Sequence, residues 1–528
     1  MSVATSPGAN VGDLAARNSW RSPGRDAIID VPNGRRLTFA ALDERANRLA
    51  NGLVDGLGLE RGDRVAVLST NAAEVMEAFF ACAKAGLVAQ PLNWRLAPPE
   101  QARILADGEP RTLLWHREFA DDVAELQSRY DLDHWLDVAP GEGSAYEDLL
   151  AAAPAEEPVG ARSVGGPDPF FILYTGGTTG TSKGVLHTHT STAAAMVNQA
   201  TAERVATDDV YMLLGQMFHI PVVLAMNYLA HGRPVVLMNF EPRQTLEVIE
   251  AERVSGFLGI TTMVNYMMDV PGFDRFDLSS LRLVMYGGGP MAQTTVRRCM
   301  EAFPCDLMQG YGQTEGCTYS FLLPWVHREI AQGIGAHRAR SCGQESHLTS
   351  LRVVDGDGVP VPRDREAVGE IVVRGPSLMR EYWRRPDETA HAFRDAGGWL
   401  RTGDLASWDA DGFLYIVDRA KDMVISGGEN IYPAQVEEVI YRHPGVLEVA
   451  VIGIPDATWG EALHAVIVPA AGASPTEEEI VELTRRELAS YMKPKSVEFV
   501  DALPKGPTGK ILKRELREPY WDGNERNV

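Results

Sequence analysis

The sequence has few cysteines, a deficit of basic residues and no long apolar run. Only five cysteines occur in 528 residues, and none of them forms a C-x-x-C pair. This usage suits a reducing compartment better than a disulfide framework. Lys and Arg total 50 against 72 Asp and Glu, which gives a net charge of −22. A nucleic-acid partner is therefore disfavoured, because a phosphate backbone would be repelled at long range.

Neither secretion nor insertion into a bilayer is expected from the sequence. Its first twenty residues contain no basic start followed by an apolar stretch. The longest apolar candidate, residues 220–230, is interrupted by Asn227 and is too short to cross a membrane. We therefore expect a cytoplasmic protein with no integral membrane segment, while peripheral membrane contact stays open.

The length and composition indicate a globular protein of several domains. At about 150 residues per domain the chain predicts three or four folding units. Hydrophobic residues at 45% and charged residues at 23% are ordinary values. A late boundary is indicated where turn residues at 408–412 and a strand at 413–417 are followed by the charged segment 418–422. We predict a large domain over 1–420 and a small domain over 421–528.

Helix and strand patterns alternate along the first part of the chain. Thr38 is placed to cap a helix, and Asn71 to begin a second helix that ends at Gly86. Short apolar runs at 65–68 and 87–92 flank the second helix and are typical of buried strands. This alternation predicts an α/β fold with parallel sheets covered by helices, in which ligands bind at the carboxyl ends of strands.

The most unusual segment covers residues 174–184 and reads YTGGTTGTSKG. Its four glycines and five Ser/Thr hydroxyls would let backbone N–H groups close on a phosphate, and Lys183 adds a positive charge. It is not a Walker A loop, because Thr181 and Ser182 separate Lys183 from the preceding glycine. A helix is predicted to follow from about His189. The segment therefore predicts a cradle for a polyphosphate.

The same segment also matches G-x-S-x-G, the nucleophile elbow of α/β-hydrolases, with Ser182 as the serine. A hydrolase would need a strained turn at that serine and a later histidine as base. The chain contains no oxyanion motif such as HGGG. A serine hydrolase is therefore the remote alternative from another reaction class.

Six further motifs cover most of the chain. They are GGGP at 287–290, YGQTE at 311–315, TGD at 402–404, DRAKD at 418–422, SGGEN at 426–430 and PKGPTGK at 504–510. In kind and order they resemble the motifs of the acyl-adenylate-forming (AMP-binding) superfamily, in its acyl-CoA synthetase branch. The resemblance implies a large N-terminal α/β domain of parallel or mixed sheets with a β-barrel-like subdomain, and a small mobile α+β C-terminal domain.

The resemblance also implies roles for single residues. Lys510 would bridge the substrate carboxylate and the α-phosphate, where negative charge crowds in the transition state. Glu315, together with Thr175, would help hold Mg²⁺, and Thr314 would contact the α-phosphate. Asp404 would accept hydrogen bonds from both ribose hydroxyls, because a carboxylate offers two acceptor oxygens.

Further positions follow from the same resemblance. His219 resembles the family's acyl-pocket histidine, although Pro221 departs from the small residue often found after this motif. The residues implied to contact ATP or coenzyme A are Thr175, Gly176, Gly177, Thr178, Thr179, Gly180, Thr181, Lys183, Gly287, Gly288, Gly289, Pro290, Gln309, Gly310, Tyr311, Gly312, Thr314, Asp404, Arg419, Lys421, Gly427, Gly428 and Glu429. The residues expected to line the acyl pocket, by their position around the motifs, are His219, Val222, Ile260, Thr261, Gly288, Gly310, Gly316 and Cys317.

Two half-reactions are implied. A carboxylate attacks the α-phosphate of MgATP and releases pyrophosphate, and a thiol then attacks the mixed anhydride and releases AMP. Lys510 must enter the site for the first step and would obstruct the thiol in the second. The small domain is therefore expected to rotate between steps about a hinge at Lys421.

Coenzyme A is the expected thiol. Residues 491–517 hold seven basic against three acidic residues, and the region around Lys493 and Lys495 could meet the phosphates of coenzyme A. Most expected pocket residues are apolar or small, which favours a fatty or other bulky apolar acid. An aryl acid, or transfer to a carrier protein, is the alternative. A homodimer is compatible with the sequence.

Overall fold

The computed structural model describes residues 10–138, 143–175, 182–288, 291, 293–393, 397–426, 429–456, 458–506 and 511–521. The described residues form two compact units. The first unit lies within Met1–Thr175, Ser182–Ser350 and Val373–Leu400, and the second lies within Leu351–Val372 and Arg401–Val528. The domain boundary between residues 420 and 421 stays a prediction.

The strands are short, and most of them coincide with an apolar run of the sequence. In chain order they are β1 (Asp26–Asp30), β2 (Arg35–Thr38), β3 (Arg64–Leu68), β4 (Val88–Pro91), β5 (Thr112–Trp115), β6 (His134–Asp137), β7 (Pro169–Thr175), β8 (Lys183–Thr188), β9 (Tyr211–Leu213), β10 (Val235–Leu237), β11 (Gly256–Leu258), β12 (Leu283–Gly287), β13 (Asp306–Tyr311), β14 (Ser320–Leu322), β15 (Gln344–Glu345), β16 (Ser350–Val354), β17 (Gly369–Arg374), β18 (Glu381–Tyr382), β19 (Leu400–Trp408), β20 (Leu414–Arg419), β21 (Val424–Ser426), β22 (Glu429–Ile431), β23 (Val446–Asp456), β24 (Gly460–Pro469) and β25 (Ser496–Phe499).

The helices cover the sheets or lie between them. In chain order they are α1 (Val11–Ala16), α2 (Asn18–Arg21), α3 (Phe39–Asn51), α4 (Ala73–Ala85), α5 (Pro98–Gly108), α6 (Ala120–Arg129), α7 (Ala145–Ala152), α8 (His189–Glu203), α9 (Pro221–Ala230), α10 (Pro242–Ala251), α11 (Thr261–Met268), α12 (Gln293–Ala302), α13 (Pro324–Ala331), α14 (Pro386–Ala392), α15 (Pro433–Ile440), α16 (Glu477–Glu487) and α17 (Lys513–Trp521).

The first unit contains two mixed sheets among its described residues. One has nine strands in the order β15-β14-β13-β12-β11-β9-β10-β1-β2, and the other has seven in the order β18-β8-β7-β4-β3-β5-β6. Strands from β13 through β1 in the first sheet are parallel, whereas β2, β14 and β15 pair antiparallel at its ends. The predicted α/β class with parallel or mixed sheets is confirmed.

A buried apolar core lies between the two sheets, and one face of each covered strand packs into it. On β7, Phe171 and Leu173 belong to this shared core, while Ile172 and Tyr174 face a separate cluster on the other side of their sheet. Strand β12 divides its residues between two clusters in the same alternating way. Because successive side chains on a strand point to opposite faces, a fully apolar run predicts a strand covered on both sides.

The two predicted N-terminal helices form, with one difference. Thr38 caps α3 as predicted, since its side-chain oxygen accepts the N–H of Ala41 at 3.2 Å. Helix α4 ends at Gly86 as predicted, where a φ of +72° favours glycine. The predicted start at Asn71 was wrong, because α4 begins at Ala73 and the Asn71 side chain is engaged with another segment.

The second unit also contains two sheets within its described ranges. One has the order β16-β17-β19-β20, and the other has the order β22-β21-β24-β23 with β25 beside β24. Helix α15 begins at Pro433 as predicted. Helix α17 is tied to this unit by ion pairs from Lys513 to Glu437 at 2.7 Å and from Arg517 to Asp422 at 3.0 Å. The C-terminal α+β part has its own apolar core, which includes Val436, Val451 and Ile467.

The remaining expectations concern cysteines and membrane spans. All five cysteines are free thiols, and only Cys305 is not fully buried. Burial raises the pKa of the Cys317 thiol to about 12, so that group is protonated at neutral pH. In the part of the chain that the structure describes, no helix combines the length and apolarity that crossing a bilayer requires.

Candidate functional site

The predicted phosphate segment connects two paired strands. Thr175 ends β7 and Lys183 begins β8, and these two residues are register partners in the antiparallel pair. Thr175 Oγ1 lies 3.5 Å from the Lys183 carbonyl oxygen. The helix predicted near His189 is α8, which begins at that residue. The predicted contact residues between the strands, Gly176, Gly177, Thr178, Thr179, Gly180 and Thr181, lie outside the described residues.

Strand β8 was not predicted, and its presence removes the nucleophile elbow. An elbow requires a strand, a sharp turn at the serine and then a helix. Ser182 is followed by β8 and only then by α8. The G-x-S-x-G match therefore lacks the context that a serine hydrolase needs.

The Lys183 ammonium contacts one acid and one aromatic ring. Nζ forms an ion pair with Glu388 of α14 and lies 5.2 Å from the centre of the Tyr382 ring. Glu388 also pairs with Arg385 at 3.3 Å. The hydrogen bond from Lys183 lowers the pKa of Glu388, which keeps this carboxylate ionised. The predicted phosphate-binding cation therefore has a counter-ion within the protein.

Glu315 is held by a tyrosine that the sequence analysis missed. The Tyr382 hydroxyl donates a hydrogen bond to Glu315 Oε1 at 2.8 Å, and the backbone carbonyl of Glu315 accepts the N–H of Met379 at 2.7 Å. Burial, and next the negative charge of Glu315, raise the pKa of Tyr382, so its phenol is a neutral donor. The donor to Glu315 is therefore neutral, and it fixes one oxygen of the carboxylate in place.

His187 fixes the backbone at Thr314. Its Nε2 lies 2.7 Å from the Thr314 carbonyl oxygen, which can only accept, so Nε2 carries the proton. Nδ1 faces the Ser191 hydroxyl at 3.1 Å. Burial lowers the pKa of His187 to about 4, although the hydrogen bond to Thr314 opposes the shift. The ring is therefore neutral at pH 7 and supports the loop that carries Glu315.

The glycine motif lies where β12 ends, beside the parallel strand β13. Gly287 and Gly310 are register partners, and a Cβ on Gly287 would lie only 2.5 Å from the Gly310 carbonyl oxygen. A side chain at residue 287 would force the two strands apart. Gly288 follows with a φ of +77°, and a Cβ added there would meet no described atom within 4 Å. Gly289 and Pro290 of this motif lie outside the described residues.

The YGQTE motif forms a tight loop after β13. Gln309 and Tyr311 belong to the end of that strand. A Cβ on Gly312 would lie 1.7 Å from the Cys317 carbonyl oxygen, so only glycine fits at residue 312. Cys317 itself has a φ of +64°, an uncommon conformation for a residue with a side chain. The loop that carries Thr314 and Glu315 is therefore closed by local backbone contacts.

The expected acyl-pocket residues follow neighbouring strands of the nine-stranded sheet. Strands β9, β11, β12 and β13 are adjacent and parallel. His219 and Val222 follow β9, Ile260 and Thr261 follow β11, Gly288 follows β12, and Gly310, Gly316 and Cys317 lie at or after the end of β13. The carboxyl ends of parallel neighbours meet at one sheet edge, which is the usual ligand side of such folds.

Asn71 anchors the segment that leads to His219. Its amide donates to the carbonyls of Gly215 and Met238 at 3.0 and 3.1 Å, and its oxygen accepts the N–H of Met217 at 3.0 Å. Burial lowers the pKa of His219 to about 4. Its Nε2 is buried without a hydrogen-bond partner in the described part of the chain. His219 is therefore neutral and suited to an apolar neighbour.

Two further side chains, Val222 and Trp94, define the surroundings of the segment that carries His219. Val222 is fully buried in the core between the sheets, so its place in the pocket stays a prediction. Trp94, which the sequence analysis missed, donates from Nε1 to the Gln216 side chain at 2.8 Å and meets the Phe218 ring edge-on. An indole therefore lies beside the segment that carries His219.

In the second unit, the predicted ribose ligands form a pair. Asp404 on β19 and Arg419 on β20 are register partners, and Arg419 Nε lies 3.2 Å from Asp404 Oδ1. The Asp404 N–H donates to Thr402 Oγ1 at 3.1 Å, which ties the TGD turn together. Asp404 is 5% exposed. Its carboxylate is therefore buried beside a positive charge.

The remaining predicted residues of the second unit are only partly described. The Lys421 carbonyl accepts a hydrogen bond from Arg517 at 3.3 Å. Glu429 begins β22 as the exposed register partner of Ser426. Gly427, Gly428 and Lys510 lie outside the described residues, so the role of Lys510 stays a prediction.

The donor set around Glu315 fits Mg²⁺. Among the described residues, no cluster of three or more His, Cys, Asp or Glu side chains could form a metal cage. Mg²⁺ needs no such cage beside a nucleotide, because it keeps water and phosphate ligands and takes one or two carboxylates. Tyr382 occupies one oxygen of Glu315 and leaves the other with its lone pairs. Glu315 would hold the ion, and the part of Thr175 stays a prediction.

Comparison with known proteins identifies the family. Residues 16–383 match the model of the AMP-binding enzyme family, and residues 435–510 match that of the AMP-binding enzyme C-terminal domain. A feruloyl-CoA synthase from Amycolatopsis sp. is 39% identical over 97% of this chain and 99% of its own length. The long-chain-fatty-acid–CoA ligase FadD13 of Mycobacterium tuberculosis is 38% identical over 97% of this chain and 98% of its own.

A solved structure agrees with these relatives. ATP-bound MatB from Rhodopseudomonas palustris superposes with a TM-score of 0.85 at 29% identity, over 98% of this chain and 100% of that one. These matches confirm the predicted superfamily and the predicted enzyme class, an AMP-forming acid–thiol ligase. The chain therefore belongs to the AMP-binding enzyme family, with acyl-CoA ligases among its relatives over nearly their whole length.

Proposed function

We propose that the protein is an ATP-dependent acyl-CoA synthetase that activates a bulky apolar carboxylic acid. The acid forms an acyl-adenylate with release of pyrophosphate, and coenzyme A then displaces AMP to give the thioester. One observation carries the proposal. Lys183 and Glu315, from two motifs far apart in the sequence, both contact the side chain of Tyr382.

The first step, formation of the acyl-adenylate, depends on positive groups that compensate the negative charge of the triphosphate. Lys183 would compensate the phosphate oxygens, and Asp404 would accept hydrogen bonds from the ribose hydroxyls. Mg²⁺ held at Glu315 would neutralise charge on the phosphates. Lys510 would meet the attacking carboxylate and the α-phosphate, and the small domain that carries it would turn about Lys421 between the steps.

Coenzyme A is supported by a basic and aromatic surface of the second unit. Trp459 is 51% exposed, and Lys495 Nζ lies 5.4 Å from the centre of its indole ring. Tyr491 is 49% exposed, and Lys493 follows close to it in the chain. An exposed indole offers a stacking face for adenine, and Lys493 offers charge to the phosphates of coenzyme A, whereas Lys495 is already paired with Asp456 at 3.0 Å.

The acid is proposed from the sheet edge that carries the expected pocket residues. These residues are apolar or small, and the histidine among them, His219, is kept neutral by burial. A fatty acid fits such a pocket, and an aryl acid is the second candidate. Relatives named for feruloyl-CoA and for long-chain fatty acids are almost equally similar to this chain. Both acid classes therefore belong in the test.

The test is a panel of aliphatic and aryl acids assayed for pyrophosphate release with ATP and Mg²⁺. Each acid is run with coenzyme A, with a phosphopantetheinylated carrier protein and with neither. Acid-dependent release with thioester formed only on coenzyme A supports the proposal. Thioester only on the carrier protein supports the alternative acceptor, and release without any acid dependence contradicts the proposal.

Lys510→Ala separates the two half-reactions. We expect adenylate formation from acid and ATP to fall by about 100- to 1,000-fold, because a positioned cation is lost from the transition state. Thioester formation from supplied acyl-adenylate should stay close to the wild-type rate. Single-turnover assays of each step measure both. Equal loss in the two steps contradicts the role assigned to Lys510.

A further inference from the structure

Tyr382 stands between the two charges that the proposed adenylation step needs. Its hydroxyl reaches Glu315 at 2.8 Å, and the face of its ring lies 5.2 Å from the ammonium of Lys183. Both contacts come from one residue of the short edge strand β18, which pairs with β8. The strand that begins at Lys183 is therefore held, through its neighbour, at a fixed spacing from the loop of Glu315.

The backbone around Tyr382 fixes it from both sides. Tyr382 is the register partner of Val185, and the N–H of Trp383 donates to the Gly184 carbonyl at 2.7 Å. The Tyr382 N–H donates to Thr389 Oγ1 of α14 at 3.0 Å. A phenol mounted in this way has little freedom, so it can restrict the rotamer of the acid to which it donates.

The hydrogen bond from Tyr382 also makes the two carboxylate oxygens of Glu315 inequivalent. Oε1 accepts the phenol proton, and within the described ranges Oε2 accepts no hydrogen bond. A neutral donor leaves the carboxylate charge in place, whereas a cationic donor would cancel it. The arrangement therefore presents one charged oxygen in a set direction, which a hard cation with strict octahedral geometry requires.

Resting on the proposed function, we propose that Tyr382 is a positioning residue for the metal–nucleotide complex. It aims Glu315 Oε2 at Mg²⁺ by its hydroxyl and steadies Lys183 by its ring. Removal of the hydroxyl alone should weaken metal binding, because partners that orient a metal ligand typically contribute 10- to 100-fold in metal affinity. Removal of the ring should in addition weaken binding of the nucleotide without metal.

The experiment uses the full-length protein and Mn²⁺ as the probe. Electron paramagnetic resonance measures the Kd of Mn²⁺ for the protein with a non-hydrolysable ATP analogue, independently of turnover. For Tyr382→Phe we expect a Kd roughly tenfold higher, with metal-free binding of the analogue, measured by calorimetry in EDTA, unchanged. For Tyr382→Leu we expect both affinities to fall.

A matched control is Tyr146→Phe. Tyr146 donates to Glu77 Oε2 at 2.5 Å, a buried tyrosine–carboxylate bond in the same unit but in a different network. Its loss should leave the Mn²⁺ Kd at the wild-type value. A double variant of Tyr382→Phe and Glu315→Gln should bind Mn²⁺ no more weakly than Glu315→Gln alone, because the phenol acts through Glu315.

The outcomes separate this inference from the proposed function. A wild-type Mn²⁺ Kd in Tyr382→Phe, or full additivity in the double variant, overturns the positioning role. If Tyr382→Phe does not fold, additivity is tested with Tyr382→Trp, which keeps a ring and removes the hydroxyl. Acid-dependent exchange of pyrophosphate into ATP by the wild-type protein tests the proposed function itself, and it can succeed while this inference fails.

Discussion

Each of the two units contains one acid that the sequence predicts to be a nucleotide-site residue, and the two acids are held in opposite ways. In the first unit, Glu315 accepts a hydrogen bond from the neutral phenol of Tyr382 at 2.8 Å. In the second unit, Asp404 lies 3.2 Å from the guanidinium of Arg419. Among the described residues, the first acid contacts a neutral donor, whereas the second is paired with a cation.

This difference matches two kinds of ligand. A divalent cation is attracted to a carboxylate whose charge is not cancelled. Ribose hydroxyls are neutral donors, and they require acceptor oxygens rather than net charge. The contacts therefore agree with the proposed roles, Glu315 as the metal ligand and Asp404 as the acceptor for the ribose hydroxyls. Motif position alone does not distinguish the two acids, because both end a short glycine-containing motif.

Glu315→Gln tests the charged side of this comparison and should have the largest effect. The amide keeps the size and the hydrogen bond to Tyr382 but removes the charge. We expect acid-dependent pyrophosphate release to fall by at least about 100-fold. Glu381→Gln is the matched control, because Glu381 lies next to Tyr382 on β18 and its side chain points to the other face. Similar losses in both variants would mean that the assay reports folding rather than the metal.

Asp404→Asn tests the acid that is paired with Arg419, and it should reduce activity less than Glu315→Gln does. Hydrogen bonds to a charged group contribute about 1.5–3 kcal/mol, which corresponds to a roughly 10- to 100-fold rise in the KM for ATP. We expect kcat to fall less than KM rises. Asp409→Asn is the control, because Asp409 is also buried, directly follows β19 and accepts a hydrogen bond from the Tyr415 hydroxyl at 2.9 Å. An unchanged KM in Asp404→Asn would contradict the assignment to ribose.

The smallest expected effect concerns the pH dependence of the loop that carries Glu315. The pKa of His187 is about 4 in the folded protein and near 6.5 when unfolded, so acid favours unfolding. Neutral His187 contributes fully to the free energy of unfolding above pH 6.5. This contribution is lost as the pH falls towards 4, by up to about 1.4 kcal/mol per pH unit. His187→Gln keeps a donor to Thr314 without titrating. Its unfolding midpoint should fall less between pH 7 and 5 than that of the wild type.

Periodicity predicted the elements well and their pairing poorly. The helices that begin near Thr38, His189 and Pro433 and the apolar strands follow from local spacing and capping, because both depend on neighbouring residues. Strand β8 was missed because its sequence, KGVLHT, mixes charge, glycine and histidine and is stabilised by partners on both sides. No local signal indicates that β8 pairs with β18, which lies far along the chain.

In the candidate site, too, local sequence predicts some residues and misses those that depend on tertiary contacts. The motifs located Glu315, Thr314, Asp404 and Lys183, because these residues lie in unusual local sequences. The side chains that support them were not found, since Tyr382 and His187 reach the site through tertiary contacts. One available signal was the tyrosine that shortly precedes Pro386, the first residue of α14. A short edge strand before a helix start can be recognised, but its contact with Glu315 cannot.

The pairing of β1 with β10 has a consequence for protein synthesis. Ile28 pairs with Val235, so during synthesis β1 must wait for a partner strand about 200 residues later in the chain. At typical ribosomal speeds of about 5–20 residues per second, that interval is roughly 10–40 s. Until β10 is made, β1 lacks the strand that covers one of its edges in the folded protein, and an unpaired strand edge is a site for aggregation and chaperone binding.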